Sequence, residues 1–241
     1  MRSEERLGGI DVERELKERL DAVRERLGRA LERAGRKPDE VTLIAVTKGV
    51  PLSRVLAAVE LGVAHVGENR VQEAREKLPQ LPPGVTRHLV GTLQTNKARY
   101  VPGLFDWVHS LDRLELAAEL GKRAVKAGKI LNCLIQVNVS GEPTKRGVPP
   151  GEALALAAAA SQVEGVRVRG LMTIGPLTGD ADAVRRAFAE LRELAGKIAR
   201  EGLPGVTMEH LSMGMSGDFE AAVEEGATMI RVGSAIFGPR Q

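Results

Sequence analysis

Aromatic side chains are scarce: one Trp, one Tyr and four Phe make up 2% of the 241 residues. The core must therefore be filled by Val, Leu, Ile and Ala, small branched side chains that suit the inside of a barrel. Few rings are left for base stacking. There is also no long basic block, because 35 basic residues face 32 acidic ones for a net charge of +3. Nucleic acid is not an expected partner on either count. A single cysteine, Cys133, excludes an internal disulfide. It stands in the apolar run 131–139, where a buried inert thiol is expected rather than a nucleophile. No apolar stretch reaches the roughly 18 residues needed to span a bilayer. The charged N-terminus lacks a signal-peptide core, so a cytoplasmic protein with no membrane partner is expected.

What is present is a regular rhythm. Leu16, Leu20, Val23, Leu27 and Leu31 recur every three or four residues among Glu and Arg, which predicts an amphipathic helix over 10–34. Gly35 and Pro38 end it. Short apolar strands then alternate with helical stretches. Strands are expected at 41–48, 65–68, 88–91, 107–111, 132–139, 166–174, 209–212 and 229–237. Helices are expected at 52–61, 69–78, 95–101, 113–127, 151–163, 181–201 and 217–225. Several strand runs are apolar almost throughout, as in parallel strands covered on both faces. About eight βα repeats predict a single (β/α)8 TIM-type barrel over 41–238, within one domain spanning 1–241. No helix is expected after the eighth strand, and the N-terminal helix would fill that place in the outer ring. A doubly wound sheet is the alternative.

In such barrels reactive groups sit at the C-terminal ends of the strands. Lys48 ends the first strand, in V-T-L-I-A-V-T-K, where its amine is placed to form a Schiff base. The competing reading is a surface lysine with its stem along apolar neighbours. Glu68 and Asn69 end the second strand and His88 lies in the third. Ser212, Gly214, Gly233 and Ser234 follow strands seven and eight, the usual place for a phosphate in these barrels. Arg231 interrupts the apolar run M-I-R-V-G. It either aims at a ligand or faces outward to a helix carboxylate. His65, His88, His109 and His210 show no metal-ligand spacing, and no metal is expected. Glu209 and His210 adjoin on one strand and should point to opposite faces.

Seven segments taken together carry a family resemblance: A-V-T-K (45–48), G-E-N-x-V-Q-E (67–73), H-L-V-G-T-L-Q-T-N-K (88–97), L-I-Q-V-N-V-S (134–140), R-G-L-M-T-I (169–174), L-S-M-G-M-S-G-D (211–218) and R-V-G-S-A-I-F-G (231–238). In this order the chain resembles the YggS/PROSC family of pyridoxal 5′-phosphate (PLP) homeostasis proteins, which share the alanine racemase N-terminal barrel. The resemblance implies that Lys48 carries PLP as an aldimine and that Arg231 faces the pyridine nitrogen. It also implies that Ser212, Gly233 and Ser234 hold the phosphate, that Asn69 lies beside the ring, that Met213 walls the pocket and that His88 lies near the mouth. Lys145 matches a second family lysine that would accept PLP transiently. Arg87 stands where many relatives carry an aromatic residue, and Ser234 where others have Thr.

The resemblance implies a carrier or buffer of PLP, contributing to vitamin B6 and amino-acid homeostasis, with no catalytic residue assigned. A permanently cationic arginine only donates, so it leaves the pyridine nitrogen unprotonated and the ring a weak electron sink. The second base of an alanine racemase is a tyrosine from a separate β-domain, for which no counterpart is expected here. Tyr100, the lone tyrosine, falls in a predicted helix. A monomer is expected rather than an obligate dimer, with apo-PLP enzymes as acceptors. The alternatives are a narrow-scope PLP-dependent amino-acid racemase or lyase, a non-catalytic protein that docks on PLP enzymes, and a phosphosugar isomerase barrel.

Overall fold

Eight parallel strands close on themselves in sequence order, each hydrogen-bonded to the next and the last to the first. They are β1 (Thr42–Val46), β2 (His65–Glu68), β3 (Thr86–Leu89), β4 (Trp107–Leu111), β5 (Leu131–Gln136), β6 (Val166–Met172), β7 (Val206–Ser212) and β8 (Met229–Val232). The (β/α)8 TIM-type barrel is thus observed, and the doubly wound alternative is excluded by the β1–β8 pairing, with Ile44 opposite Arg231. The computed structural model describes residues 2–176 and 178–239, with side chains from Glu13 onward. Met1, Leu177, Arg240 and Gln241, part of the expected 1–241 domain, lie outside the described residues.

The helices are α1 (Arg2–Arg33), α2 (Leu52–Glu60), α3 (Val71–Lys77), α4 (Val101–Leu104), α5 (Leu114–Lys126), α6 (Ala153–Ser161), α7 (Ala181–Arg200), α8 (Phe219–Glu224) and α9 (Ser234–Phe237). Tyr100 closes a 3-10 turn over Thr95–Tyr100 that leads into α4, and its ring lies between the guanidinium groups of Arg75 and Arg99. Among the described residues no helix is long and apolar enough to cross a membrane.

Two layers bury the apolar residues. Between strands and helices a continuous core runs from Leu16 and Leu20 through Leu89, Leu120, Phe188 and Phe219 to Ile236. Each such side chain contributes roughly 1.5–3 kcal/mol on leaving water. Inside the barrel a small cluster of Ile44, Leu134, Met172 and Met229 converges from β1, β5, β6 and β8, with Trp107 against it. The interior is therefore not filled by branched aliphatics alone.

The expected strand 229–237 is corrected. β8 stops at Val232, and Ser234–Phe237 forms α9, so a short helix does follow the last strand. The physical reason is local: Phe237 and Gly238 donate back to the carbonyls of Gly233 and Ser234, at 2.9 and 3.0 Å. α1 packs against α2, α8 and α9, closing the outer ring where a full helix is missing. Arg26 of α1 fixes that closure with two 2.7 Å bonds to Glu220 and a position 4.6 Å over the Phe219 ring.

Candidate cofactor site

At the C-terminal ends of β1, β2 and β8 a cavity of about 680 Å3 opens. Its wall includes Lys48, Asn69, Arg231, Gly233 and Ser234. Five of the residues singled out in the sequence, from three different strand ends, thus share one space.

Each is held by its own local structure. Lys48 stands two residues beyond β1, in a loop that a buried ionic cluster clamps. The Lys77 ammonium donates to the Thr47 carbonyl at 2.6 Å and to the Val50 carbonyl at 3.3 Å. It pairs with Glu68 and Glu73, both at 2.6 Å. Glu73 accepts from the Gly49 amide at 2.6 Å, and Thr47 donates to Glu68 at the same distance. Burial pushes the Glu68 carboxyl up, against the pull of Lys77 and Thr47. Asn69 is set by the close approach of its backbone to Gly91, where a Cβ would lie 2.3 Å from the Asn69 carbonyl oxygen.

Arg231 is 5% exposed and points into the barrel, which removes the outward-facing reading. Its guanidinium donates to Ser212 Oγ at 2.6 Å and to the Thr173 carbonyl at 2.8 Å. Burial lowers its pKa to about 10, partly offset by Asp218, and it remains cationic at neutral pH. Two of its five donors are used there, and it still lines the cavity.

Three expected residues are not on that wall. Met213 is wholly buried in the apolar core. Its amide donates to the Met229 carbonyl at 3.1 Å, so it continues the sheet pairing instead of facing the mouth. Ser212 is fully buried between Arg231 and His109. His88 is 1% exposed, held between His65 and His109, and does not line the cavity. Lys145 is also outside the cavity, bonded to Glu142 at 2.7 Å and to the Gly175 carbonyl at 2.8 Å. Glu209 is exposed and pairs with Arg169, while His210 turns to the Trp107 ring, 5.0 Å away. Glu209 Oε2 lies 3.8 Å from His210 Nε2, so the expected separation to opposite faces is not observed.

Among the wall residues that sequence reasoning missed are Met215, Ser216 and Arg54. After Gly214, at φ +89°, the chain turns, so Met215 and Ser216 line the cavity where Ser212 and Met213 had been expected to. Ser216 Oγ accepts from the amides of Gly233 and Ala235, both at 3.2 Å, a convergence that binds oxygen at the start of α9. Arg54 of α2 also lines the cavity, and its Nε and Nη2 have no hydrogen-bond partner among the described residues. The segment L-S-M-G-M-S-G-D held the signal for Ser216, but not which of its two serines turns inward. Nothing in the pattern around Arg54 marked it. Among the described residues no group of three His, Cys, Asp or Glu could hold a metal ion.

Comparison with known proteins follows the same lines. The alanine racemase N-terminal domain family matches residues 19–241. The pyridoxal phosphate homeostasis protein of Aquifex aeolicus is 44% identical, over 93% of this chain and 98% of that protein. The protein of that name from Escherichia coli K12 is 40% identical, over 92% of this chain and 95% of its own. PipY of Synechococcus elongatus, solved with PLP bound, superposes with a TM-score of 0.81 at 39% identity, covering 92% of this chain and all of PipY. With its closed barrel, its strand-end lysine and these relatives, the chain belongs to the alanine racemase N-terminal domain family, in the branch of the pyridoxal phosphate homeostasis proteins.

Proposed function

We propose that this chain binds PLP in the 680 Å3 cavity, through Lys48, and carries or buffers it with little or no catalysis. The observation that carries the reading is the meeting of an amine, a cation and an anion cradle on one wall: Lys48, Arg231, and Gly233 with Ser234. The names of the relatives and the PLP in PipY support it.

The donor set fits the group part by part. Lys48 would hold the aldehyde end of PLP through its amine. Gly233, Ser234 and Ser216 offer backbone and hydroxyl donors to a phosphate, as glycine-rich turns after strands seven and eight do in related barrels. Arg54 adds a permanent positive charge to the same wall. Asn69 borders the space on the β2 side. Ser212, Met213 and His88 are buried and do not line the cavity.

Bound PLP supplies an electron-withdrawing ring that stabilises negative charge on an attached substrate carbon. Arg231 limits that ability. Its guanidinium could donate to a ring nitrogen but not accept from one, and so would favour the unprotonated nitrogen. Nor does a tyrosine stand as a second base, because Tyr100 packs with Arg75 and Arg99 in the Thr95–Tyr100 turn. We extend the reading to one monomeric cytoplasmic unit that hands PLP to apo-enzymes. Such enzymes should be captured by the PLP-loaded chain in a pull-down.

The test combines two measurements. Added PLP should give a visible absorbance band that Lys48→Ala abolishes. Chiral analysis of incubated amino acids should show negligible racemisation. Turnover above about 1 per second, an ordinary enzyme rate, would replace the carrier by a racemase.

A further inference from the structure

Three of the four histidines form a single line inside the barrel. His65 Nδ1 lies 3.1 Å from His88 Nε2, and His88 Nδ1 lies 3.0 Å from His109 Nε2. His109 Nδ1 lies 2.9 Å from Ser212 Oγ, which accepts from Arg231 at 2.6 Å. The line begins at half-buried His65, at the entry of β2, and ends at Arg231 on the cavity wall. Trp107 flanks it, its ring stacked on His88 with centroids 6.0 Å apart.

Burial holds His88 and His109 well below the usual histidine range, and neighbouring histidines and Arg231 reinforce this. Both rings are therefore neutral at pH 7, each with one N–H and one bare nitrogen. The direction of the line then follows by elimination. Arginine has donors only, so Ser212 Oγ accepts from Arg231. The serine proton needs an acceptor of its own. Of the two groups that Ser212 Oγ bonds among the described residues, only His109 Nδ1 can accept. His109 thus carries its proton on Nε2 and donates to His88 Nδ1. His88 in turn carries its proton on Nε2 and donates to His65 Nδ1. Each member between the ends takes one hydrogen bond and gives one, an arrangement in which neighbouring bonds polarise one another.

We propose that Ser212, His109 and His88 are positioning residues for Arg231: a one-way hydrogen-bond line that fixes the guanidinium on the cavity wall and locks the rings as Nε2–H tautomers. Rings that merely filled space would have no fixed direction, and a change at Ser212 would stop at its neighbour. The optical arm of the test below rests on the PLP reading of the cavity; the ring-nitrogen arm does not.

The experiment is long-range 15N–1H NMR of the full chain at neutral pH without cofactor, on the natural sequence and on Ser212→Ala and Ser212→Thr. In the natural chain His88 and His109 should both be Nε2–H with an accepting Nδ1. Ser212→Ala should shift the ring signals of His109 and, one ring further, of His88. Ser212→Thr, which keeps the hydroxyl, should restore them. An Nδ1–H tautomer at either ring, or His88 signals unmoved by Ser212→Ala, would overturn the line. With PLP added, Ser212→Ala should also shift the visible absorbance maximum and Ser212→Thr bring it back. An unchanged maximum in Ser212→Ala would overturn the positioning of Arg231. If the natural chain shows no visible band, the PLP reading fails instead, and the ring nitrogens still decide the line.

Discussion

Between strands and helices, Leu16, Leu120, Phe188 and Phe219 belong to one continuous core and have essentially no exposed surface. Inside the barrel, Ile44, Leu134, Met172 and Met229 share the space with His88, His109, Ser212 and Arg231, which are just as buried. The outer layer draws on the hydrophobic effect, which is non-directional and scales with area. The inner one relies on directional bonds, each useful only if its partner is in place. The difference separates two jobs: the outer layer holds the barrel closed, and the inner one fixes where a cation points at the mouth. A change in the outer layer should therefore cost stability without redirecting the cation, whereas a change inside the barrel should move both.

The largest expected break is on the outer side. Phe188→Ala should cost about 3–5 kcal/mol in urea unfolding, the usual cost of a cavity of that size. The folded fraction should keep its PLP absorbance maximum. A lost or shifted maximum in folded protein would mean that the two layers are not separable.

Arg231→Lys should come next. It cannot keep both the Ser212 and the Thr173 bonds in their planar arrangement, and a loss of about 1.5–3 kcal/mol is expected. It should also move the PLP absorbance maximum, which Phe188→Ala should not. A silent Arg231→Lys would make the interior a matter of packing only.

A smaller effect, visible without mutation, comes from pH. Burial depresses all four histidines below the usual value of 6.5. Below pH 6.5 the unfolded chain then binds protons that the folded barrel refuses, so stability should fall as pH drops through that value. Above pH 6.5 the histidines should contribute no slope. At lower pH still, Glu68 and Asp218, whose carboxyl groups burial pushes up, act in the opposite sense, against ion-paired carboxyls such as Glu220 and Glu224 that are held low and add to the decline. Stability that rises between pH 7 and pH 6 in urea titrations would show that the interior rings accept protons readily.

The smallest effect should be at the outer surface. Ile130 is 57% exposed, and Ile130→Ser should change stability by no more than about 0.5 kcal/mol, with an unaltered PLP spectrum.

The same division explains what the sequence made legible. Apolar runs marked several of the eight strands, because a parallel strand covered on both faces leaves a continuous signature, and the βα rhythm placed the others. The run 229–237 misled, since four apolar-rich residues after Gly233 read equally as strand or helix, and local carbonyls decided for α9. Lys48, Asn69, Arg231, Gly233 and Ser234 were legible as cavity residues because strand ends alone determine the mouth. Met213 and Ser216 were not. The turn at Gly214, where a Cβ would meet Ala222 Cβ at 2.5 Å, reverses which residues face inward, and that depends on how α8 packs. His88 could be placed on its strand but not at its depth, which is set by its contacts with His65 and His109 from neighbouring strands.

The central claim is that the amine beyond β1 and the glycine–serine turn beyond β8 hold one molecule of PLP. Borohydride reduction of the PLP-loaded chain, followed by peptide mapping, tests it most directly. The account predicts a single stable adduct on the peptide that contains Lys48, at one equivalent per chain. An adduct chiefly on Lys145, spread over surface lysines, or absent altogether would contradict it.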